Sequence, residues 1–230
     1  MSEVYVPIST TRTFRYVRLE NKLTVILVSQ PDTKTAACCL AVSSGSFHDP
    51  PDRYGLSHFL EHMLFLGNKK YPKEDQFQHY VEMHSGSTNA ATGSDQTWYY
   101  FQVDSAYLDG ALDGFSAFFI DPLFNESATG REVNAVNSEF EIDLNNPRWK
   151  FKQLVSNMTL PTSYLHIFDV GNNQTLHPEG SSLPETRSRL IDLFKRYYTA
   201  QNMAVCIIGS GLFHFVILFN LLFLQNPLTI

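Results

Sequence analysis

The sequence predicts an α+β fold, a mostly antiparallel sheet of about five to six strands covered by helices, on three observations. Short β-branched or apolar stretches stand near both ends of the chain, at 14–28, 35–44 and 202–209. Between them lie segments whose apolar residues recur three and four apart, the repeat of a helix buried on one face. The strand signals do not alternate one for one with helices, as a parallel βα repeat requires, but come as three, then one, then one, with helices in between.

Each element follows from local chemistry. Phe14 to Leu19 alternates, Glu20-Asn21-Lys22 offers a turn, and Leu23 to Val28 resumes with β-branched residues, so the two stretches form a hairpin. Thr35 to Ser44, bounded by Gly45, is apolar enough for a buried central strand. A loop through Asp49-Pro50-Pro51 leads to a helix that stops at Gly67, a residue suited to the position after a helix end. Lys73 to His84 has acids in its first turn and Phe77, Tyr80, Val81 and His84 at helical spacing. Gly86 to Gly93 is a small, polar connection, and Thr97 to Val103 an aromatic and β-branched strand. A helix from about Ser105 to Phe119 ends before Pro122, and another spans roughly 126–144 with Val133, Val136 and Phe140 inward. After Pro147 the pattern gives a helix at 148–157, a loop-rich stretch at 161–182, a helix at 184–198 and a closing strand at 202–209.

Composition excludes several partners. With 43% hydrophobic residues in 230, the chain can bury a real core. A net charge of −6 without a basic run leaves no electrostatic footprint for nucleic acid or an anionic membrane, so neither is expected as a partner. Residues 1–8 lack the positive and apolar regions of a secretory signal, and the chain ends without a peroxisomal signal, so the default expectation is a cytoplasmic protein. Cys38, Cys39 and Cys206 stand inside strand-like runs, outside any C-x-x-C spacing, and are expected to be reduced core residues.

The chemistry concentrates in Gly55 to Gly67, which contains His58-Phe59-Leu60-Glu61-His62. On a helix His58 and His62, four apart, share one face and can present two imidazoles to one metal ion. Glu61 stands beside them, placed to hold a water that the metal polarises. The pattern H-x-x-E-H is the inverted zinc-protease signature. The plainer alternative is two ordinary histidines of an amphipathic helix. A catalytic zinc takes three protein ligands, so a third must come from elsewhere. Glu132 and Glu139, two turns apart on the 126–144 helix, are candidates, one to ligate and one to orient a neighbour. Spacing does not say which, and a solvated acidic face remains the alternative.

The residues just quoted, with Gly55-Leu56-Ser57-His58-Phe59, Glu61-His62-Met63-Leu64-Phe65-Leu66-Gly67, Lys70-Tyr71-Pro72, Asn89-Ala90, Arg131-Glu132-Val133-Asn134-Ala135-Val136, Ser138-Glu139, Gly171-Asn172 and Asn202-Met203-Ala204-Val205-Cys206, resemble the insulin-degrading enzyme branch of the pitrilysin family of zinc metallopeptidases. The resemblance runs from about Thr13 to Gly209. It implies a pitrilysin-type domain with one zinc ion held by His58, His62 and Glu139, the glutamate 77 residues beyond His62. It further implies Glu61 as general base, Glu132 orienting a ligand, and Asn89 and Ala90 on an edge strand that holds a peptide substrate by strand addition. Where the branch commonly has an aromatic residue lining a substrate pocket, this chain has Ala91.

The expected organisation is an N-terminal extension at 1–12, a catalytic domain at 13–209 and a divergent apolar tail at 210–230. The tail is expected to be a product of alternative processing or of gene-model error, with a membrane anchor or an internal plug as alternatives. Members of the family are built of four such domains in two halves, of which this chain matches the first. The expected activity is therefore zinc-dependent endoproteolysis of small peptides or unfolded polypeptides, alone or paired with another half or a full-length relative. The alternative is a zinc-binding, poorly active form that binds peptide or regulates a relative.

Overall fold

The alternating residues of β1 (Thr13–Arg18) and β2 (Thr24–Ser29) pair antiparallel, with Lys22 taking a left-handed φ of 72° in the turn between them. These strands belong to a computed structural model that describes residues 10–211. The expected tail, apart from its first two residues, and residues 1–9 of the expected extension lie outside the described residues.

Six strands form one sheet in the order β1-β2-β6-β3-β5-β4, with β3 (Thr35–Val42), β4 (Ser87–Thr92), β5 (Thr97–Asp104) and β6 (Met203–Gly209). Every pairing is antiparallel except β2 with β6, which is parallel. Local pattern alone misses β4, because Ser87-Thr88-Asn89-Ala90-Ala91-Thr92 has few strand-forming side chains. It is a strand because it pairs along its whole length with the aromatic β5, a tertiary effect that outweighs propensity.

Helices cover one face of this sheet. They are α1 (Leu56–Leu64), α2 (Gln76–Met83), α3 (Leu108–Ile120), α4 (Glu126–Asp143), α5 (Pro147–Asn157), the single turn α6 (Asn173–Leu176) and α7 (Leu183–Tyr197). The helix expected from Lys73 starts later, at Gln76, because Asp75 before it is left-handed at φ 58°. The one expected from Ser105 begins with a tight 3-10 turn, in which the Asp104 carboxylate accepts from the Ala106 N–H. Within the loop-rich stretch, Asn172 and Thr175 form a reciprocal capping box that nucleates α6. Among the described residues no helix is long and apolar enough to cross a membrane.

The core lies between the sheet and α1, α3 and α7. Leu40, Tyr99, Phe101 and Val103 from the strands meet Phe59, Leu60, Phe115 and Phe119 from the helices, all at most 1% exposed. Burying each such aromatic or aliphatic side chain contributes about 1.5–3 kcal/mol, so this layer fixes where α1 sits. The opposite face is more open: on β3, β5 and β6 buried side chains alternate with half-exposed or exposed ones. One consequence corrects an expectation. Cys38 is a core residue, but Cys39 is half-exposed and Cys206 exposed, because both point to the face that the helices leave uncovered.

Candidate metal-dependent active site

The helix α1 is held by a carboxylate outside it. Asp49 accepts hydrogen bonds from the Gly55 N–H (2.7 Å), the Ser57 N–H (2.8 Å) and the Ser57 hydroxyl (2.6 Å). It thereby satisfies donors at the helix N-terminus and places negative charge at the positive end of its dipole. Burial pushes the Asp49 carboxyl up to about 7, although these donors pull it down. Gly55 itself is left-handed (φ 84°) and lies against Gly171 (φ 83°); a Cβ on Gly55 would stand 2.2 Å from the Gly171 Cα.

This contact between two glycines sets the loop that holds the first histidine. His58 Nδ1 donates to the Val170 carbonyl at 2.7 Å, and the Asn173 N–H donates to Asn137 Oδ1, tying the same loop to α4. Val170 also forms part of the wall of a cavity of about 520 Å³ shared with Phe140, Trp149, Leu154 and Phe168. His62 Nδ1 donates to Glu132 Oε1 at 2.7 Å.

With both Nδ1 atoms engaged as donors, the neutral imidazoles carry their lone pairs on Nε2. They face each other at 3.2 Å, with Glu139 Oε2 3.6 Å from His58 Nε2 and 3.5 Å from His62 Nε2. Two lone pairs aimed at one point repel unless a cation lies between them, and two imidazoles with a carboxylate are a donor set suited to zinc. Among the described residues His58, His62 and Glu139 form a group able to hold a metal ion, their ligating atoms lying within 4.8 Å of one another. The site's electrostatics agree. Burial works against a charged His62, yet its bonds to Glu132 and Glu139 push it up to about 9, and its hydrogen bond to Glu139 holds that carboxyl below its ordinary value. This corner of the protein attracts positive charge.

Glu61 is buried, at 8% exposure, and burial raises its carboxyl above the usual range while Thr92 and both histidines pull it down. Thr92 Oγ1 donates to Glu61 Oε2, joining the acid to the end of β4. Asn89, Ala90 and Ala91 occupy that same edge strand. The direct bond from Gly93 N–H to Gln96 C=O sets the alternation in the β4–β5 ladder. The backbone groups of Thr88, Ala90 and Thr92 therefore face the free edge. Asn89 Oδ1 accepts from the Ala90 N–H there at 2.9 Å. Ala91 is exposed, its side chain on the opposite face from Thr92.

The structure thus separates Glu132 from Glu139, which spacing left equivalent: one meets the outer nitrogen of His62, the other the inward nitrogens of both histidines. Sequence reading missed Asp49, Thr92, Val170 and Gly171. Asp49 was discoverable as an acid shortly before a helix, and Thr92 only once β4 is known to be a strand. Val170 acts through its backbone carbonyl, so no side-chain signal marks it.

Comparison with known proteins bears on the same residues. Residues 24–162 match the family described as Insulinase (Peptidase family M16). The chain is 44% identical over 200 residues to the insulin-degrading enzyme of Homo sapiens, covering 86% of this chain and 20% of that one. It is 42% identical over 210 residues to "Insulin-degrading enzyme-like 1, peroxisomal" of Arabidopsis thaliana, covering 90% and 22%. The crystal structure of pitrilysin superposes with a TM-score of 0.86 at 32% identity, covering 93% of this chain and 22% of that one. The chain therefore spans about a fifth of the length of the curated relatives it matches.

Proposed function

The chain belongs to the insulinase family, peptidase family M16, and from that premise we propose that it is the catalytic domain of a zinc-dependent endopeptidase acting on small peptides or unfolded polypeptides. The observation that carries the proposal is the convergence of His58 Nε2, His62 Nε2 and Glu139 Oε2 beside the buried Glu61. In this reading His58, His62 and Glu139 hold one zinc ion, which supplies Lewis acidity toward water and the scissile carbonyl. The Val170 carbonyl and Glu132 hold the two imidazoles so that both Nε2 atoms point inward.

Glu61 does the proton work. Its burial raises its proton affinity, so it accepts a proton from the attacking water and returns it to the leaving amine. Thr92 fixes one of its oxygens and leaves the other for the water. A peptide adds as a further strand along the free edge of β4, where its backbone bonds to Thr88, Ala90 and Thr92 and displaces the Asn89 side chain from the Ala90 N–H. Strand addition reads backbone, which suits extended substrates. With Ala91 exposed and small, side-chain preference on that face is weak.

A second reading is favoured by a specific surface. Phe151 (67% exposed), Met158 (79%), Leu160 (73%) and Tyr164 (67%) form an apolar stretch on and after α5. A patch of this kind suits a protein interface. In that reading the domain holds zinc and peptide but turns over only when another pitrilysin-type half, or a full-length relative, covers this stretch. The test is cleavage of an internally quenched fluorescent peptide by the purified, zinc-loaded chain, with and without chelator. Chelator-sensitive cleavage supports the endopeptidase. One equivalent of bound zinc without cleavage supports the second reading, and absence of stoichiometric zinc overturns both.

A further inference from the structure

The two cysteines that leave the core meet each other. In the antiparallel pairing of β3 with β6, Cys39 stands directly opposite Cys206. The register extends beyond the strand ends to Ser43 and Asn202, where the Ser43 N–H donates to the Asn202 carbonyl at 2.9 Å. Directly opposite residues joined in this way mark a hydrogen-bonded pair, and such pairs alternate along an antiparallel ladder. Counting back by twos makes Ala41 with Ala204, and then Cys39 with Cys206, pairs of the same kind. Their Cα atoms are therefore about 5.5 Å apart, inside the roughly 4.4–6.8 Å span that a disulfide bridges.

Both side chains point to the face that carries no helix among the described residues, Cys206 exposed and Cys39 half-exposed. Cys38 points the other way, buried, opposite Ile207 and Phe101, and has no access to either thiol. Across the open face the pair is flanked by Ile26, opposite Cys206, and Tyr100, opposite Cys39. These neighbours shelter the thiols without closing them off.

The geometry points to Cys39 and Cys206 as a cross-strand dithiol that small-molecule disulfides oxidise reversibly to a bridge between the two central strands. The oxidant is a low-molecular-weight disulfide such as oxidised glutathione. The more exposed Cys206 thiolate attacks one of its sulfurs, forming a mixed disulfide and releasing one glutathione thiolate. The Cys39 thiolate then attacks the Cys206 sulfur, the Cys39–Cys206 bond forms, and the second glutathione thiolate leaves. Two protein thiols lose two electrons to the small disulfide, and their two protons end on the two glutathione thiols.

Reversibility follows from the pair type. Opposite Cβ atoms are about 4.5–5.5 Å apart, the hydrogen-bonded pairs at the wide end, whereas a relaxed disulfide wants about 3.5–4.5 Å. The bridge forms with the side chains drawn together, and strained bridges are the more readily reduced. Burial pushes both thiols up from their ordinary value, Cys39 further through its neighbour, so the exchange speeds up as pH rises above neutrality. The bridge lies on the opposite face from α1 and is independent of the proposed zinc site.

Mass spectrometry of the full chain after incubation with oxidised glutathione at mildly alkaline pH tests this. The expected product has lost the mass of two hydrogens, and its proteolytic map joins the peptides carrying Cys39 and Cys206. Reduced glutathione in excess restores the thiols. The Cys38→Ser variant, which keeps both partners, forms the same link, while Cys39→Ser stops at a stable glutathione adduct on Cys206. A persistent adduct on Cys206 in the unsubstituted chain, a link through Cys38, or no reaction at either thiol would overturn the assignment.

Discussion

Replacing Gly171 by alanine probes whether the loop at 170–172 positions the metal site or merely passes near it. Gly171 has φ 83°, and a Cβ there would stand 3.1 Å from the Gly55 Cα, 3.3 Å from Leu176 Cδ1 and 3.4 Å from the Gly55 carbonyl oxygen. The left-handed backbone alone costs an alanine about 1–2 kcal/mol. The contacts add a displacement of a few tenths of an ångström, because the nearest atom is backbone at the start of α1 and cannot swing aside. That displacement moves the Val170 carbonyl away from His58 Nδ1, a bond of 2.7 Å. Loss of such an outer partner lowers metal affinity about 10–100-fold. Gly180 supplies the control: its φ is 82°, but a Cβ there meets nothing within 4 Å. Gly180→Ala carries the same backbone strain without the contact. Zinc affinity by competition with a chromophoric chelator, measured beside thermal unfolding, separates the effects. Both variants should lose stability, and Gly171→Ala alone should lose zinc affinity. Equal affinity in both would refute the positioning role of the loop.

Other expectations concern protons. Glu61→Gln keeps the zinc and loses hydrolysis by about 10²–10⁴-fold, the usual contribution of a general base, as read by peptide cleavage beside metal analysis. Thr92→Val removes a donor that lowers the Glu61 carboxyl, so the acidic limb of the rate–pH profile moves to higher pH; an unmoved limb would show that Thr92 does not govern Glu61. Asp49 binds its proton more tightly folded, at about 7, than its ordinary value of 3.8. Its contribution is therefore fully present below about pH 4 and lost as pH rises toward 7, with a slope of at most about 1.4 kcal/mol per pH unit. Asp49→Asn should flatten that part of the stability–pH curve measured by urea unfolding.

What the sequence disclosed, and what it withheld, follows the range of the interactions. Helices α1, α3, α4 and α7 were legible because their apolar residues repeat every three to four positions, and β2, β3, β5 and β6 because their side chains are themselves strand formers. β4 was illegible locally: its serine, threonine, asparagine and alanine residues owe their conformation to β5, the next strand in the chain. At the site, His58, Glu61 and His62 stood out because one helix carries all three. Glu132 and Glu139 looked alike because helical spacing gives both the same face, and only the position of α4 across α1 distinguishes them. The exposure of Cys206 was hidden because an apolar strand reads as buried on both faces, whereas the helices among the described residues cover only one face of this sheet.

The proposed chemistry depends on a single metal position. Crystals of the chain grown with zinc, measured by anomalous diffraction at the zinc edge, locate it directly. The expected result is one peak bounded by Nε2 of His58, Nε2 of His62 and a carboxylate oxygen of Glu139, with Glu132 still on Nδ1 of His62. A peak elsewhere, or Glu132 in place of Glu139 at the metal, would contradict it.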